Sequence, residues 1–163
     1  MATVQISKSK QVRARLSHPV IDSDGHTVEF EPAVMDTMRE IGGPGIVERY
    51  KAKRTQGPTA SLGGLLNWHK LTPEERRDQR LTVAPWWALP AKNTLDRATS
   101  MLPKLLYERL DDFGLDVSIL YPTFGLLAPH LEDQEIRLAA CRAFNTYHAD
   151  IFKEYNDRLI PVA

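Results

Sequence analysis

The chain has 163 residues, 42% of them hydrophobic and 26% charged, with 21 Lys plus Arg balanced by 21 Asp plus Glu. That length supports one domain with a real core, and the zero balance gives no argument for nucleic acid, polyanion or membrane-surface binding. The single cysteine, Cys141, excludes an intrachain disulfide and fits a reducing, cytoplasmic setting. No signal-peptide h-region and no apolar run long enough to span a bilayer are present.

Residues 1–17 are locally basic ("SKSKQVRAR") and are expected to form an irregular tail, with residues 18–163 as the folded part. Residues 18–23 (HPVIDS) read as a short buried strand that runs into "DSDGH". There Asp22, Asp24 and His26 fall on alternate positions. In a regular strand such residues point to one face. A surface strand carries that pattern cheaply, whereas a closed interior tolerates it only if something there binds charge.

Pro32 suits the first turn of a helix through "AVMDTMREI", which Gly42 and Gly43 end. "GIVERYKAKR" reads as a second short helix. Residues 55–67, rich in Gly, Ser, Thr and Pro, read as loop. Thr72, Pro73 and Glu75 carry the capping-box pattern of a helix start. "VAPWWALPAKN" is a proline-punctuated aromatic loop. From residue 94, Leu95, Ala98, Leu102, Leu105, Leu106, Leu110 and Phe113 keep helical spacing, and Gly114 follows as the stop. "DVSILYPTFG" contains a strand at 117–121. A long helix over about 133–156 carries Ile136, Ala140, Phe144, Tyr147, Ile151 and Tyr155 on one face. "RLIPVA" begins another strand.

Strand, helix, strand in this order is a βαβ unit and implies a parallel sheet. Residues 117–121 and 159–163 are expected as parallel neighbours, with residues 20–25 on the other side of 117–121. A full (β/α)₈ barrel needs about 250 residues. The pattern therefore reads as the first part of something larger, with a long helical insertion after the first strand, and an open three-stranded sheet is the alternative.

The stretches "VIDSDGHTVE", "YERLDDFGLDVSILYPT" and "AFNTYHADIFKEYNDRLIPVA" resemble the amidohydrolase-related metal-dependent hydrolases. Within that family the aminocarboxymuconate-semialdehyde decarboxylase-like group is the most similar. The resemblance covers the strand-one motif and nearly everything from residue 83 onward. It implies an α/β fold, the N-terminal portion of a TIM-type barrel with about three parallel strands. It also implies a divalent metal at the C-terminal mouth, bound through a strand-one His-x-His. Here Asp24 stands in the first of those positions and His26 in the second. A carboxylate ligand shifts preference from zinc towards manganese or magnesium.

On that resemblance Asp24 and His26 are metal ligands, and Asp22 is an acceptor that orients His26. The plainer alternative for Asp22 is a strand-start acid bonded to backbone amides. The remaining ligands and the catalytic aspartate are implied on later strands, outside this chain. The chain is thus expected to be inactive alone: either a companion chain completes the barrel, with self-association in its absence, or this is a processed or truncated piece.

Trp86 and Trp87 either wall a substrate pocket or pin their loop to the body. Tyr121 and Thr123 flank the end of the second strand, where barrel chemistry sits, with packing as the other role for Tyr121. His130 either lines the mouth or lies on a surface loop. Glu29 is expected as an exposed loop acid, with a place at the barrel mouth as the alternative, and His148 as partly exposed helix surface. The function expected is a hydrolase or a non-oxidative decarboxylase (a lyase) acting on a small organic carboxylate, amide or ester. The alternative is a non-catalytic half-barrel for binding or assembly.

Overall fold

The computed structural model describes residues 6–54, 72–78 and 94–163. Its elements are α1 (Lys8–Arg13), β1 (Ile21–Thr27), α2 (Glu31–Gly42), α3 (Pro44–Arg54), α4 (Pro73–Asp78), α5 (Thr94–Met101), α6 (Pro103–Phe113), β2 (Val117–Pro122), a 3-10 helix (Gly125–His130), α7 (Gln134–Phe152) and β3 (Leu159–Pro161). The three strands form one open sheet in the order β1-β2-β3, and both pairings are parallel. This is the α/β arrangement and the strand order that the βαβ pattern predicted.

Local chemistry accounts for most of the element ends. Gly43 ends α2 at φ 79° and Gly114 ends α6 at φ 75°, the left-handed region that favours glycine. The capping box before α4 is formed: the Thr72 amide donates to Glu75 Oε2 at 2.7 Å, and the Glu75 amide donates to Thr72 Oγ1 at 3.2 Å. Asp133 caps α7 by accepting from the amides of Glu135 and Ile136.

Three expectations are corrected. The expected irregular N-terminal tail contains α1, capped by Ser7 and tied to the body by a two-nitrogen contact from Arg13 to Asp116. The helical spacing from residue 94 belongs to two helices, not one. Leu102 is extended (φ −112°, ψ 108°) and Pro103 starts α6. Proline clashes with a preceding helical residue and lacks the N–H to continue the ladder. The first strand begins at Ile21 rather than residue 18, and its opening is not buried: Ile21 is 55% exposed.

Two apolar clusters hold the fold together. The larger packs Val34, Met35 and Met38 of α2 and Ile46, Val47 and Tyr50 of α3 against Ile136, Ala140, Phe144 and Tyr147 of α7. The smaller joins Leu110 of α6 and Phe152 of α7 to Leu120 and Leu159 on one face of the sheet. Each of the Val, Leu, Ile, Met and Phe side chains among them, removed from water, contributes on the order of 1.5–3 kcal/mol. The opposite sheet face presents Ile21, and Ile160 at 44% exposed. Among the described residues no helix is long and apolar enough to cross a membrane.

Candidate functional site

Strand β1 carries an irregularity that its spacing conceals. Ile21 and Asp22 pair with Val117 and Ser118, but Gly25, His26 and Thr27 pair with Leu120, Tyr121 and Pro122. The register shifts by one residue between Asp22 and Gly25, the signature of a β-bulge. A one-residue slip moves side chains to the other face. Asp22 therefore shares the helix-covered face with Ser118 and Leu120, while Asp24 and His26, on either side of Gly25, share the open face with Tyr121. The expectation of one row of three is corrected to a pair plus a separate residue.

Contacts agree with that parity. Asp22 Oδ2 accepts from Ser118 Oγ at 3.1 Å and Asp22 Oδ1 accepts from the Asp24 amide at 3.1 Å. These are the backbone-and-neighbour bonds of a strand-start acid, and they sit on the face away from His26. Gly25 makes room for them. A Cβ there would lie 2.5 Å from Ser118 Oγ, 2.8 Å from Asp22 Oδ2 and 2.9 Å from the Ile119 carbonyl oxygen. Asp24, within the shifted stretch, is exposed, and His26, beyond it, is half-buried. The His26 ring stands 6.1 Å from the Tyr121 ring, centroid to centroid.

Strand ends near this pair are tied down by buried polar contacts. The Val28 amide and Thr27 Oγ1 both donate to the Ser100 carbonyl, at 2.7 and 3.3 Å. The Phe30 amide donates to the Tyr147 hydroxyl at 3.1 Å. Glu29, expected as an exposed acid, is only 2% exposed. Its Oε2 accepts from the amides of Thr123 at 3.3 Å and Phe124 at 2.9 Å, and its Oε1 accepts from the Gly125 amide at 3.0 Å. A buried carboxylate is tolerable when backbone donors converge on it.

His148, expected on the helix surface, is 2% exposed, with its Nε2 3.8 Å from Glu29 Oε1. That distance is too long for a hydrogen bond. Neither ring nitrogen of His148 has a hydrogen-bond partner among the described residues, and the same holds for Thr123 Oγ1. Burial raises Glu29 above the usual carboxylate range, an effect opposed by the amides of Phe124, Gly125 and Thr123. Burial holds His148 down at about 4. Both shifts favour the uncharged form, as desolvation requires.

The structure thus brings His26 and Tyr121 together and places Thr123 at the adjoining turn. His130 lies at the end of the 3-10 helix and is exposed. Trp86 and Trp87 lie outside the described residues. Among the described residues no group of three or more His, Cys, Asp or Glu is placed to hold a metal ion. Asp24 and His26 alone offer a carboxylate oxygen and an imidazole nitrogen from one strand face, a donor set that suits a divalent ion as a partial site. Comparison with protein families, with curated proteins and with solved structures finds no match to this chain.

Sequence reasoning passed over the Glu29–His148 pair. The sequence offers little signal for it: of the residues flanking Glu29, Val28 is buried but Phe30 is 54% exposed.

Proposed function

We propose that this chain supplies the first strands of a (β/α)₈-type, amidohydrolase-related metal-dependent enzyme, a hydrolase or non-oxidative decarboxylase. Its substrate is a small organic carboxylate, amide or ester. The observation that carries the reading is the placement of Asp24 and His26 on one face of β1, near the C-terminal ends of three parallel strands. That is the end at which α/β sheets and barrels bind and react their ligands. Asp24 and His26 would hold one divalent ion, zinc or, given the carboxylate, manganese or magnesium. When bound, such an ion polarises a carbonyl or carboxylate or activates water. Tyr121 lines the same face beside His26, and Thr123 borders it.

Two protein ligands are fewer than a catalytic metal site uses, so this reading includes further protein, in the same or a companion polypeptide, that covers the open sheet face at Ile21 and Ile160 and brings further ligands and the proton-handling aspartate. A second reading, a non-catalytic half-barrel for binding or assembly, is favoured by one observation: among the described residues no larger ligand group is assembled.

Purification of the protein under native conditions, with intact mass and metal analysis of whatever co-purifies, tests the proposal. The expected result is a stoichiometric divalent metal in the complex, lost in Asp24→Ala and in His26→Ala while the circular dichroism spectrum is kept. Full metal occupancy in both variants would overturn the ligand assignment. A stable, metal-free complex with no hydrolase or decarboxylase turnover would leave the assembly reading in its place.

A further inference from the structure

The buried pair behind the site goes beyond the metal reading and stands without it. Glu29 holds three consecutive amides of the turn that follows β2, and it does so with both oxygens. Oε2 serves Thr123 and Phe124, whereas Oε1 alone serves Gly125. The oxygen that serves Gly125 is also the one that faces His148 Nε2 at 3.8 Å. His148 is buried with two unpartnered nitrogens among the described residues, an unusual and costly state for an imidazole. One oxygen therefore lies between an amide that it already accepts from and a ring nitrogen with no partner.

We propose that Glu29 and His148 form a proton-operated latch on the turn at residues 123–125. Ionised Glu29 grips all three amides. Protonated Glu29 carries its proton on Oε1, which turns that oxygen from acceptor into donor. It then donates to the lone pair of His148 Nε2, with the imidazole neutral and its proton on Nδ1. Closing the 3.8 Å gap to a hydrogen bond draws Oε1 away from Gly125, while Oε2 keeps Thr123 and Phe124. One proton enters from solvent and adds to Oε1, no other covalent bond changes, and the Gly125 hydrogen bond is exchanged for the one to His148. The engaged state is uncharged, which suits its burial.

The surroundings leave the proton on this pair. From the start of α2, Glu31 lines the same small apolar space as Glu29, together with Val34, Met35, Phe124 and Phe144. From α7, the Tyr147 phenol is pushed up by burial and stays protonated. The 3-10 turn presents only backbone N–H groups to Glu29. Gly125 itself has little freedom to drift, since a Cβ there would meet Pro122 Cβ at 2.8 Å and the Phe144 ring at 3.0 Å. Release of its amide is therefore felt first where Pro122 and Phe144 pack closely on Gly125.

An NMR pH titration of the full chain tests the latch. In the wild type the Glu29 carboxyl carbon, the His148 Nε2 nitrogen and the Gly125 amide should move with one shared midpoint, and Gly125 should move more than Phe124. His148→Phe removes the acceptor and should lower the Glu29 midpoint by about one pH unit or more, the scale of one lost buried hydrogen bond. His148→Gln retains an acceptor oxygen and should restore part of that shift. Separate midpoints for Glu29 and His148 Nε2, or a Gly125 amide that ignores the Glu29 titration, would overturn the proposal. If His148→Phe does not fold, the wild-type midpoints alone decide.

Discussion

Gly25 is the residue on which the shape of β1 depends, and Gly25→Ala measures that dependence. The added methyl would stand 2.5 Å from Ser118 Oγ, 2.8 Å from Asp22 Oδ2 and 2.9 Å from the Ile119 carbonyl oxygen. Two of these atoms end side chains that rotate, but the third is main chain in the central strand β2. The Ser118 hydroxyl cannot rotate away without giving up its 3.1 Å bond to Asp22, and Ser118 is buried. Overpacking of this kind costs about 1–3 kcal/mol, and the lost Ser118–Asp22 bond adds about 1 kcal/mol. A total near 3 kcal/mol follows, read as a shift in the midpoint of urea unfolding at constant slope. Ser118→Ala in the same chain removes the nearest clash, so the double variant should recover part of the loss, leaving the share due to Ile119. A Gly25→Ala protein within about 0.5 kcal/mol of the wild type, the range of ordinary surface changes, would refute the bulge. It would also return Asp22, Asp24 and His26 to a single face.

Glu29→Gln keeps size but presents an NH₂ group to backbone N–H donors, so at least one of the amides of Thr123, Phe124 and Gly125 loses its acceptor. Thermal unfolding should show a loss of about 2–4 kcal/mol at neutral pH, the scale of a buried charge-assisted bond and an orphaned donor. Burial depresses His148 from 6.5 to about 4, so its contribution is full above pH 6.5 and is lost as pH falls towards 4. That difference is worth about 3 kcal/mol at ~1.4 kcal/mol per unit. Glu29 acts in the opposite sense, because its raised value favours the folded state at low pH and that gain fades as pH rises through it. Urea midpoints between pH 7 and 4.5 should fall more steeply in the wild type than in His148→Phe. Asp133→Ala removes the cap of the 19-residue helix α7 and one of the two acids that Arg49 grips. It should cost about 1 kcal/mol by chemical denaturation.

Signals that act over a few residues were readable in the sequence. Gly42 and Gly43 closing α2, the Thr72–Glu75 box and the apolar face of α7 all rest on neighbours within one or two helical turns. The parallel order of the strands followed from the lengths of chain between them. What escaped depends on distant partners or on a single backbone exception. The bulge hides inside an alternation that looks regular, because one extra residue leaves the D-x-D-x-H letters unchanged while altering which of them share a face. Pro103 breaks a helix whose apolar spacing runs on past it, so periodicity outweighed the stronger steric signal. Glu29 carries no mark in its local sequence, and the amides it holds lie 94 to 96 residues further on.

Polar contacts at the two ends of the sheet differ in kind, and the difference bears on which end is functional. Before the strands, Asp116 accepts from Arg13 and the Val20 amide, and Arg158 donates to the Asp116 and Leu115 carbonyls. These charges are partly exposed, with side-chain exposures of 28% and 34% for Arg13 and Asp116. Arg13 and the Val20 amide hold the Asp116 carboxyl down at about 2. Such pairs lock α1 and the strand starts together, and water softens the loss of any one of them. At the other end, beside Glu29, His148 and Thr123 are buried with side-chain polar atoms that have no hydrogen-bond partner among the described residues, a cost that an apolar side chain of similar size would avoid. Stability alone does not favour that choice, since a buried polar group costs free energy unless it is fully bonded. Perturbed, desolvated titratable groups collect where a protein does chemistry or responds to protons. Asp24, His26 and Tyr121 lie at the same end of the sheet, so the buried Glu29–His148 pair sits behind the end of the strands that the proposed metal reading uses.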